Sequence, residues 1–281
     1  MRVNKEEITS RQNPYVSFVC KLSEKKHRDR ECRFRIDGVK LLCEAIECGV
    51  DIESLLVMKS AENKILSRLE KYDTLPEIKM LSDGVFEKIT EEKSPEGVIC
   101  VAKHIDKFHK IATINNNGII VAGGTPALDD AESVFALESV RDPGNLGTVI
   151  RTAAAFGVDC LLISEDCADI YNPRTVRAAM GALFRQKIVR VDNMANAIES
   201  LSLRGRHTYA ATLGKNAELL GKCDLKNTDC IVVGNEGHGL SDNVIKACEK
   251  KILIPMADGT ESLNAAIASS ICLWEQFGRK L

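Results

Sequence analysis

Three glycine-containing polar segments in the second half of the chain have the residue types from which a ligand site can be built. The first is Asp142-Pro143-Gly144-Asn145-Leu146-Gly147, with Arg151 four residues further on. Gly144 and Gly147 let the backbone approach a ligand closely, and a helix starting here offers unpaired N–H groups and a positive dipole end. Arg151 adds a permanent positive charge. Taken alone, such a segment is more often a turn followed by a surface arginine.

The second segment, residues 234–240, places three glycines around one carboxylate, Glu236. Such a loop is tight, and something planar and polar could rest on it. Its glycine order, GxxGxG, differs from the dinucleotide fingerprint GxGxxG, so the sequence does not favour a dehydrogenase. His238 could be catalytic, but a histidine between glycines is more often an exposed loop residue.

The third segment, residues 254–268, ends in a predicted helix. Ser262 can cap that helix, and three alanines keep it thin enough to pack closely against a neighbour. Ser262 and Asn264 could then face a site while Leu263 faces a core. A capped C-terminal helix by itself explains most of this segment without any function.

Each of these segments follows a predicted strand. The predicted strands lie near 134–138, 160–164, 209–212, 230–233 and 251–254, and the predicted helices near 146–156, 173–182, 194–203, 241–247 and 263–277. This alternation is typical of a parallel α/β domain. In open parallel sheets, ligands gather at the loops that follow the carboxyl ends of the strands.

The first part of the chain predicts a smaller α/β domain. Its first helix begins at Asn13-Pro14, an N-cap followed by proline at the first helical position. The pattern weakens between 106 and 130, where the turn cluster 115–118 lies. We therefore predict domains at 1–105 and 131–281, joined by a linker at 106–130.

The composition is that of an ordinary globular protein. With 281 residues the chain can form two domains, each large enough to bury a core. No apolar run approaches the roughly 20 residues that cross a bilayer, and the polar N-terminus lacks the apolar core of a secretory signal. The eleven cysteines are scattered singly without a CxxC pair, which favours free thiols in a reducing compartment. We therefore expect a cytoplasmic protein with no membrane role.

The net charge of −2 means that any nucleic-acid surface must be local. Residues 21–40 contain eight Lys or Arg against four acids, so a phosphate-facing patch would lie there. A solvated helix and loop is the alternative, and the charge run alone favours that alternative.

Taken together, the three segments resemble the SpoU (TrmH-like) family of the SPOUT methyltransferase superfamily. The resemblance rests on Asn145-x-Gly147-x-x-x-Arg151, on Gly234-Asn235-Glu236-Gly237-x-Gly239-Leu240, and on Ile254-Pro255-Met256 through Glu261-Ser262-Leu263-Asn264. Residues 176–184 also resemble the family's segment between the first two motifs. Ala265-Ala266 departs from the pattern, since Val-Ser is common there.

The N-terminal part has its own resemblance. Ser10-Arg11-Gln12-Asn13-Pro14 and Phe34-x-Ile36-Asp37-Gly38 look like the ribosomal-protein L30e-like substrate-binding domain that many members carry. The resemblance thus implies an α/β fold in which this small α/β domain precedes a C-terminal parallel-sheet domain tied into a trefoil knot. It also implies a homodimer formed through the knotted domain.

The resemblance implies S-adenosyl-L-methionine as cofactor. The residues that would hold it are Thr212, Leu213, Gly214, Gly234, Asn235, Glu236, Gly239, Ile254, Met256, Leu263 and Asn264. No metal is expected, because a methyl group on a sulfonium is already activated. What the protein must supply is in-line placement and removal of a hydroxyl proton.

The implied reaction is 2′-O-methylation of a ribose in RNA, with 23S ribosomal RNA favoured because compact tRNA-modifying relatives often lack the extra domain. The implied catalytic residues are Arg151, Asn145, Ser262, Asn264 and Glu236. Arg151 would act either as a general base or, more easily for a guanidinium, as a stabiliser of the developing alkoxide. The alternatives are a tRNA methyltransferase and a non-catalytic RNA-binding or ribosome-assembly protein that retains the fold.

Overall fold

A computed structural model describes residues 3–105, 111–114, 120–122, 131–214, 216–257, 259 and 262–280. The chain divides into two units. The first contains Met1–Ile105 together with Tyr171–Phe184, and the second contains Asp106–Ile170 together with Arg185–Leu281. The sequence did not predict that residues 171–184 pack with the first unit.

The first unit is built on a five-stranded mixed sheet. Its strands are β1 (Val3–Ile8), β2 (Arg33–Asp37), β3 (Ile52–Met58), β4 (Glu77–Leu81) and β5 (Val98–Lys103). They lie in the order β1-β4-β3-β5-β2, in which β1, β4 and β3 run parallel and β5 is antiparallel to both β3 and β2. Leu55, Leu56 and Val57 in the central strand are fully buried, so both faces of this sheet are covered.

Five helices belong to the same part of the chain: α1 (Pro14–Lys21), α2 (Lys25–Glu31), α3 (Val39–Glu47), α4 (Glu62–Leu69) and α5 (Asp83–Ile89). A 3-10 turn, Lys59–Ala61, precedes α4. The predicted start of α1 is confirmed, because the Asn13 side chain accepts the N–H groups of Tyr15 and Val16. Apolar residues of α1 and α5 form one core cluster with β3, β4 and β5.

Two of the eight basic residues in 21–40 are interior. Arg28 is 1% exposed and donates to two backbone carbonyl groups just before α2. Arg35 is 2% exposed, and its guanidinium meets the Asp37 carboxylate at 2.8 and 3.0 Å. A buried charge is tolerated when it is paired and hydrogen-bonded, so these two arginines stabilise the unit and are not available to a phosphate.

The second unit is built on a nine-stranded sheet. Its strands are β6 (Ile111–Ile114), β7 (Ile120–Ala122), β8 (Val134–Leu137), β9 (Cys160–Ser164), β10 (Lys187–Val191), β11 (Thr208–Ala211), β12 (Glu218–Leu219), β13 (Cys230–Val233) and β14 (Lys250–Leu253). The order is β12-β14-β11-β13-β8-β9-β10-β6-β7, and every neighbouring pair is parallel except β6 with β7. The predicted α/β fold with a parallel sheet is confirmed.

The predicted strands of this sheet appear within one residue of their expected ends, but four strands were missed. Two of them, β6 and β7, lie in the segment that we predicted as a linker, so that prediction was wrong for 111–114 and 120–122. The remaining residues of the segment, 106–110, 115–119 and 123–130, lie outside the described residues, and the predicted turn cluster 115–118 is among them. Strands of three or four residues leave too little pattern to be recognised. The missed β10 had a usable signal, the β-branched residues Ile188, Val189 and Val191.

Five helices follow in the chain: α6 (Pro143–Ala155), α7 (Pro173–Ala179), α8 (Met194–Leu203), α9 (Asp242–Ala247) and α10 (Ala265–Gln276). Residues of α8 and α9 form a core cluster with one face of the second sheet. In the same unit, α6 packs against α10. Within the described ranges, no helix is both long and apolar enough to cross a membrane.

The segment 171–184 carries α7 and a 3-10 turn, Met180–Phe184, and packs within the first unit. Asn172 caps α7, and the guanidinium of Arg177 lies 3.5 Å from the carboxylate of Glu92. A Cβ at Gly181 would overlap the side chain of Glu44 on α3, so a glycine is needed for this close approach. The predicted functional boundaries, 1–105 and 131–281, stay a prediction.

All eleven cysteines are free thiols, as their scattered spacing predicted. Five of them are buried: Cys100, Cys160, Cys230, Cys248 and Cys272. Burial raises the pKa of Cys160 to about 12, which keeps the thiol protonated. The buried cysteines therefore pack as small apolar side chains.

Candidate functional site

A cavity of about 470 Å³ opens at the carboxyl ends of β11, β13 and β14. Parallel strands bring their carboxyl ends to one edge of a sheet, which is where the sequence predicted a site. The wall is formed by residues 211–213, 233–239, 252–254 and 256, and by 262, 263, 265 and 268 around the start of α10. The cavity is of the size of a small-molecule site, and its lining combines apolar side chains with exposed loop backbone.

Most of the residues predicted to hold a cofactor line this cavity. They are Thr212, Leu213, Gly234, Asn235, Glu236, Gly239, Ile254, Met256 and Leu263, and the predicted catalytic Ser262 lines it as well. Four predicted residues are not part of the lining: Asn145, Arg151, Gly214 and Asn264. The motif residue Glu261 lies outside the described residues.

The glycine-rich loop after β13 closes on itself. The backbones of Asn235 and Gly239 exchange two hydrogen bonds, at 3.2 and 2.9 Å. A Cβ at Gly234 would collide with the backbone of Gly239, which itself has a φ of +68°. Inside the loop, the Asn235 side-chain oxygen accepts the N–H of Gly237 at 2.8 Å. The glycines at 234 and 239 are therefore required by the turn itself.

Three side chains from three distant segments form one hydrogen-bonded chain. The Asn264 side-chain NH₂ group donates to the side-chain oxygen of Asn145 at 3.1 Å. Asn145 in turn donates through Nδ2 to the carboxylate of Glu236. Asn264 also caps α10, since its oxygen accepts the N–H groups of Ala266 and Ile267, so the prediction that Ser262 caps this helix was wrong. The structure thus joins the predicted residues Asn145 and Asn264 to the cavity through Glu236.

Arg151 lies on the exposed face of α6. This helix begins at Pro143, three residues before its predicted start, and the Asp142 side chain accepts the N–H of Asn145 at 2.9 Å. Leu146, Val149 and Ile150 are buried, which turns Arg151 toward solvent. Its guanidinium forms no ion pair with any residue that the structure describes, so it can receive an anionic partner.

Comparison with known proteins gives the family. The profile of the SpoU rRNA Methylase family matches residues 132–274, just over half of the chain. This protein belongs to the SpoU family. A second profile, that of the MRM3-like substrate binding domain, matches residues 13–100 of this SpoU protein.

Relatives extend over the whole SpoU chain. The 23S rRNA (guanosine(2553)-2′-O)-methyltransferase RlmP of Bacillus subtilis is 30% identical, covering 97% of this chain and 100% of that protein. The 23S rRNA (uridine(2479)-2′-O)-methyltransferase of Streptomyces viridochromogenes is 28% identical, covering 98% and 92%. The AdoMet-bound rRNA methyltransferase from Sinorhizobium meliloti, known from a crystal structure, is 28% identical in sequence. Its structure superposes with a TM-score of 0.79, covering 99% of both chains.

The sequence missed several residues that line the SpoU cavity. His238 is one: it is exposed, as its place between glycines predicts, and it also lines the cavity. Ala265 and Ala268 are two more, which the sequence assigned only to close packing. Ala265 and Ala268 are three positions apart, about one helical turn, and this spacing indicates that both lie on the same face of α10.

The lining fits S-adenosylmethionine, the cofactor that the sequence predicted. Its nucleoside needs apolar surface and close backbone approach, which Leu213, Ile254 and Met256 and the 234–239 loop offer. Its charged amino-acid tail needs polar groups, and Ser262 and Glu236 stand at the same cavity. The residues present therefore match the chemical groups of this ligand.

Proposed function

We propose that this protein transfers a methyl group from S-adenosyl-L-methionine to the 2′-hydroxyl of a ribose in ribosomal RNA. The observation that carries the proposal is the glycine-walled cavity, which the Glu236–Asn145–Asn264 chain connects to the helix that holds Arg151. Two relatives over nearly the whole chain are named as 23S rRNA 2′-O-methyltransferases, and a third is an AdoMet-bound rRNA methyltransferase.

The cofactor binds in the cavity at the carboxyl ends of β11, β13 and β14. Thr212, Leu213 and the 234–239 loop hold the nucleoside part, together with backbone groups near Ile254, Met256 and Leu263. When bound, S-adenosylmethionine supplies a methyl group that its sulfonium already activates. The protein places the reacting groups and stabilises the charge that develops in the reaction.

Arg151 stabilises the reacting ribose oxygen and holds an RNA phosphate. A guanidinium is a permanent cation in proteins, so it serves poorly as a general base. Its exposure on α6, without an ion pair among the described residues, leaves the charge available to RNA. The role as a stabiliser of the developing alkoxide is therefore preferred over the role as a base.

The remaining polar residues orient the reacting groups. Asn145 fixes the carboxylate of Glu236, and Asn264 fixes Asn145. Ser262 is free to contact the ribose or the cofactor carboxylate from the cavity wall. A non-catalytic RNA-binding or ribosome-assembly protein would have no chemical need for this set, which argues for an enzyme.

Residues 1–105, the larger part of the first unit, form the RNA substrate-binding domain, and residues 131–281 form the methyltransferase domain. The first unit has the small α/β architecture expected of a ribosomal-protein L30e-like domain, and residues 13–100 match the MRM3-like substrate binding domain. An added domain of this kind favours structured ribosomal RNA over tRNA as substrate. A tRNA methyltransferase is the alternative.

The second unit is tied into a trefoil knot. β13 lies between β8 and β11, both of which precede it in the chain. After β14, α10 returns to pack on α6 and β13. A chain that inserts a late strand and then returns a helix across it has the connectivity that a knot needs.

The protein is a cytoplasmic homodimer, joined through an apolar stripe on α10. Ile267, Ile271 and Trp274 follow one another at helical spacing and are 52%, 36% and 51% exposed. Phe156 at the end of α6 meets the Trp274 ring at 5.9 Å between centroids. Exposed apolar side chains grouped in this way mark an interface. The free thiols suit a reducing compartment.

The test is to incubate the protein with methyl-labelled S-adenosylmethionine and, separately, with unmodified 23S ribosomal RNA and with tRNA. We expect label in the ribosomal RNA only. Label in tRNA alone would reassign the substrate. No label in either RNA, despite measurable cofactor binding, would favour the binding-only alternative.

A further inference from the structure

Ser139, two residues after the end of β8, has a strained backbone that hydrogen bonds hold in place. Its φ is +58°, a conformation that residues other than glycine seldom adopt. Its N–H donates to Ser164 Oγ at 2.8 Å, and its hydroxyl donates to the Asp166 carboxylate at 2.6 Å. Its carbonyl oxygen accepts Asn235 Nδ2 at 3.0 Å. All three polar groups of this residue are thus engaged.

Asp166 is the anchor of this turn. Its second oxygen accepts the Ser164 hydroxyl at 2.6 Å, and Arg141 donates to the carboxylate at 2.9 Å. Partial burial raises the pKa of Asp166, but the hydrogen bonds from Ser139 and Ser164 and the charge of Arg141 outweigh it, so the pKa lies below its usual range. An ionised carboxylate only accepts, so both serine hydroxyls must point toward it. The Ser164 oxygen is then left to accept the N–H of Ser139.

The turn sets the orientation of Asn235 in the glycine-rich loop. The Asn235 NH₂ group donates to the Ser139 carbonyl at 3.0 Å, and the Asn235 side-chain oxygen accepts the N–H of Gly237 at 2.8 Å. If the Asn235 amide were reversed, two oxygens would face each other at one end and two N–H groups at the other. The Ser139 carbonyl therefore fixes the side chain that shapes the 234–239 loop, and that loop lines the cavity.

We propose that Asp166 and Ser139 are positioning residues for the cofactor: Asp166 holds the strained turn at Ser139, and the turn holds Asn235 and its loop. The inference rests on the proposed function in one respect, that the cavity binds S-adenosylmethionine. Neither residue lines the cavity, so both act through Asn235.

The test is the affinity for S-adenosylmethionine, measured by calorimetry, beside kcat at saturating cofactor. Asp166→Asn replaces one acceptor by a donor that faces a serine hydroxyl. We expect the Kd to rise about tenfold or more, as for the loss of a hydrogen bond to a charged group, while kcat at saturation changes by less than about twofold. Such a split separates a positioning role from general destabilisation.

Asp192→Asn is the matched control. Asp192 and Asp166 line the same neighbouring cavity of about 400 Å³, but the hydrogen bonds of Ser139 do not involve Asp192. Both variants remove one negative charge from this cavity. We expect Asp192→Asn to leave the cofactor Kd within about twofold of the unmodified protein, because no hydrogen bond of the turn is lost.

Two substitutions of Ser139 keep the proposal testable if Asp166→Asn does not fold. Ser139→Ala loses the hydroxyl and keeps the strain, whereas Ser139→Gly loses the hydroxyl and relieves the strain. We expect Ser139→Ala to weaken cofactor binding more than Ser139→Gly. Equal affinities for unmodified protein, Asp166→Asn and Ser139→Ala would overturn the proposal, and so would a loss of kcat with unchanged Kd. An unmodified protein that binds no S-adenosylmethionine would instead overturn the proposed function.

Discussion

At the scale of single residues, the site depends on asparagine side chains whose oxygen and NH₂ group form hydrogen bonds with different partners. The Asn264 oxygen caps α10 while its NH₂ reaches Asn145, and the Asn145 NH₂ reaches Glu236. An amide can both accept and donate, so these residues link a helix end, a second motif and a carboxylate in series. A substitution that keeps one end and loses the other separates structure from activity.

Arg151→Ala should lower the rate of methyl transfer strongly while leaving cofactor binding intact. Removing one group that stabilises transition-state charge costs about 10²–10³ in kcat. Arg151 does not line the cavity, so the Kd for S-adenosylmethionine should not change. The measurement is a single-turnover rate with ribosomal RNA, with calorimetry for the cofactor. A rate in Arg151→Ala close to that of the unmodified protein would show that the proposed role of the arginine is wrong, and Arg151→Lys, which keeps the charge, should lose less.

Asn264→Asp should lose activity without losing stability. The carboxylate still caps α10, but it can no longer donate to the Asn145 side-chain oxygen. It instead places a negatively charged oxygen against that acceptor. Asn264→Ala should lose both functions and destabilise the fold by about 1 kcal/mol, the usual value for a lost N-cap. Thermal unfolding and the methylation rate, measured on both variants, check this. If Asn264→Asp were fully active, the link to Asn145 would have no part in the reaction.

At the scale of secondary-structure elements, the loop after β13 depends on Gly234. Gly234→Ala places a Cβ against the backbone of Gly239, which must shift. We expect cofactor affinity to fall by more than about tenfold, because the displaced backbone is itself the cavity wall. Calorimetry with S-adenosylmethionine measures this. Gly214→Ala is the control, since the nearest atom to its added Cβ, on Lys251, is 3.6 Å away; an equal loss in both variants would contradict the prediction.

The elements of the parallel sheet were predictable because buried strands and capped helices leave a local pattern. Asn13 caps α1, as its place before Pro14 predicted, whereas α6 begins at Pro143, three residues before its predicted start. The segment 171–184 could not be assigned to its unit, because local periodicity does not show which core a helix packs against. The short strands β6 and β7 gave too weak a pattern.

The site was predictable as a set of residue types, but not as a hydrogen-bonded arrangement. The glycines and the polar residues of the three motifs were recognised because their chemistry is visible in the sequence. The connection from Asn145 to Glu236 spans 91 positions and exists only because β8 and β13 are neighbours in register. Ser139 and Asp166 belong to no motif, and they are connected to the site only because Ser139 is hydrogen-bonded to both Asn235 and Asp166.

At the scale of the whole molecule, the apolar stripe on α10 should decide the oligomeric state. Trp274→Glu places a charge in the proposed interface and should give a monomer. Leu203→Glu is the matched control, because Leu203 is 89% exposed on α8 and outside the stripe. Analytical ultracentrifugation of both variants measures the mass. A Trp274→Glu protein that remained dimeric would place the interface elsewhere.

The proposed reaction places the methyl group on a ribose oxygen of ribosomal RNA. Alkaline hydrolysis of 23S ribosomal RNA that the protein has labelled from methyl-labelled S-adenosylmethionine tests this. A methylated 2′-oxygen cannot attack the adjacent phosphate, so we expect label in alkali-resistant dinucleotides. Label released in mononucleotides would mean that a base was methylated, and the proposed ribose 2′-O-methylation would then be wrong.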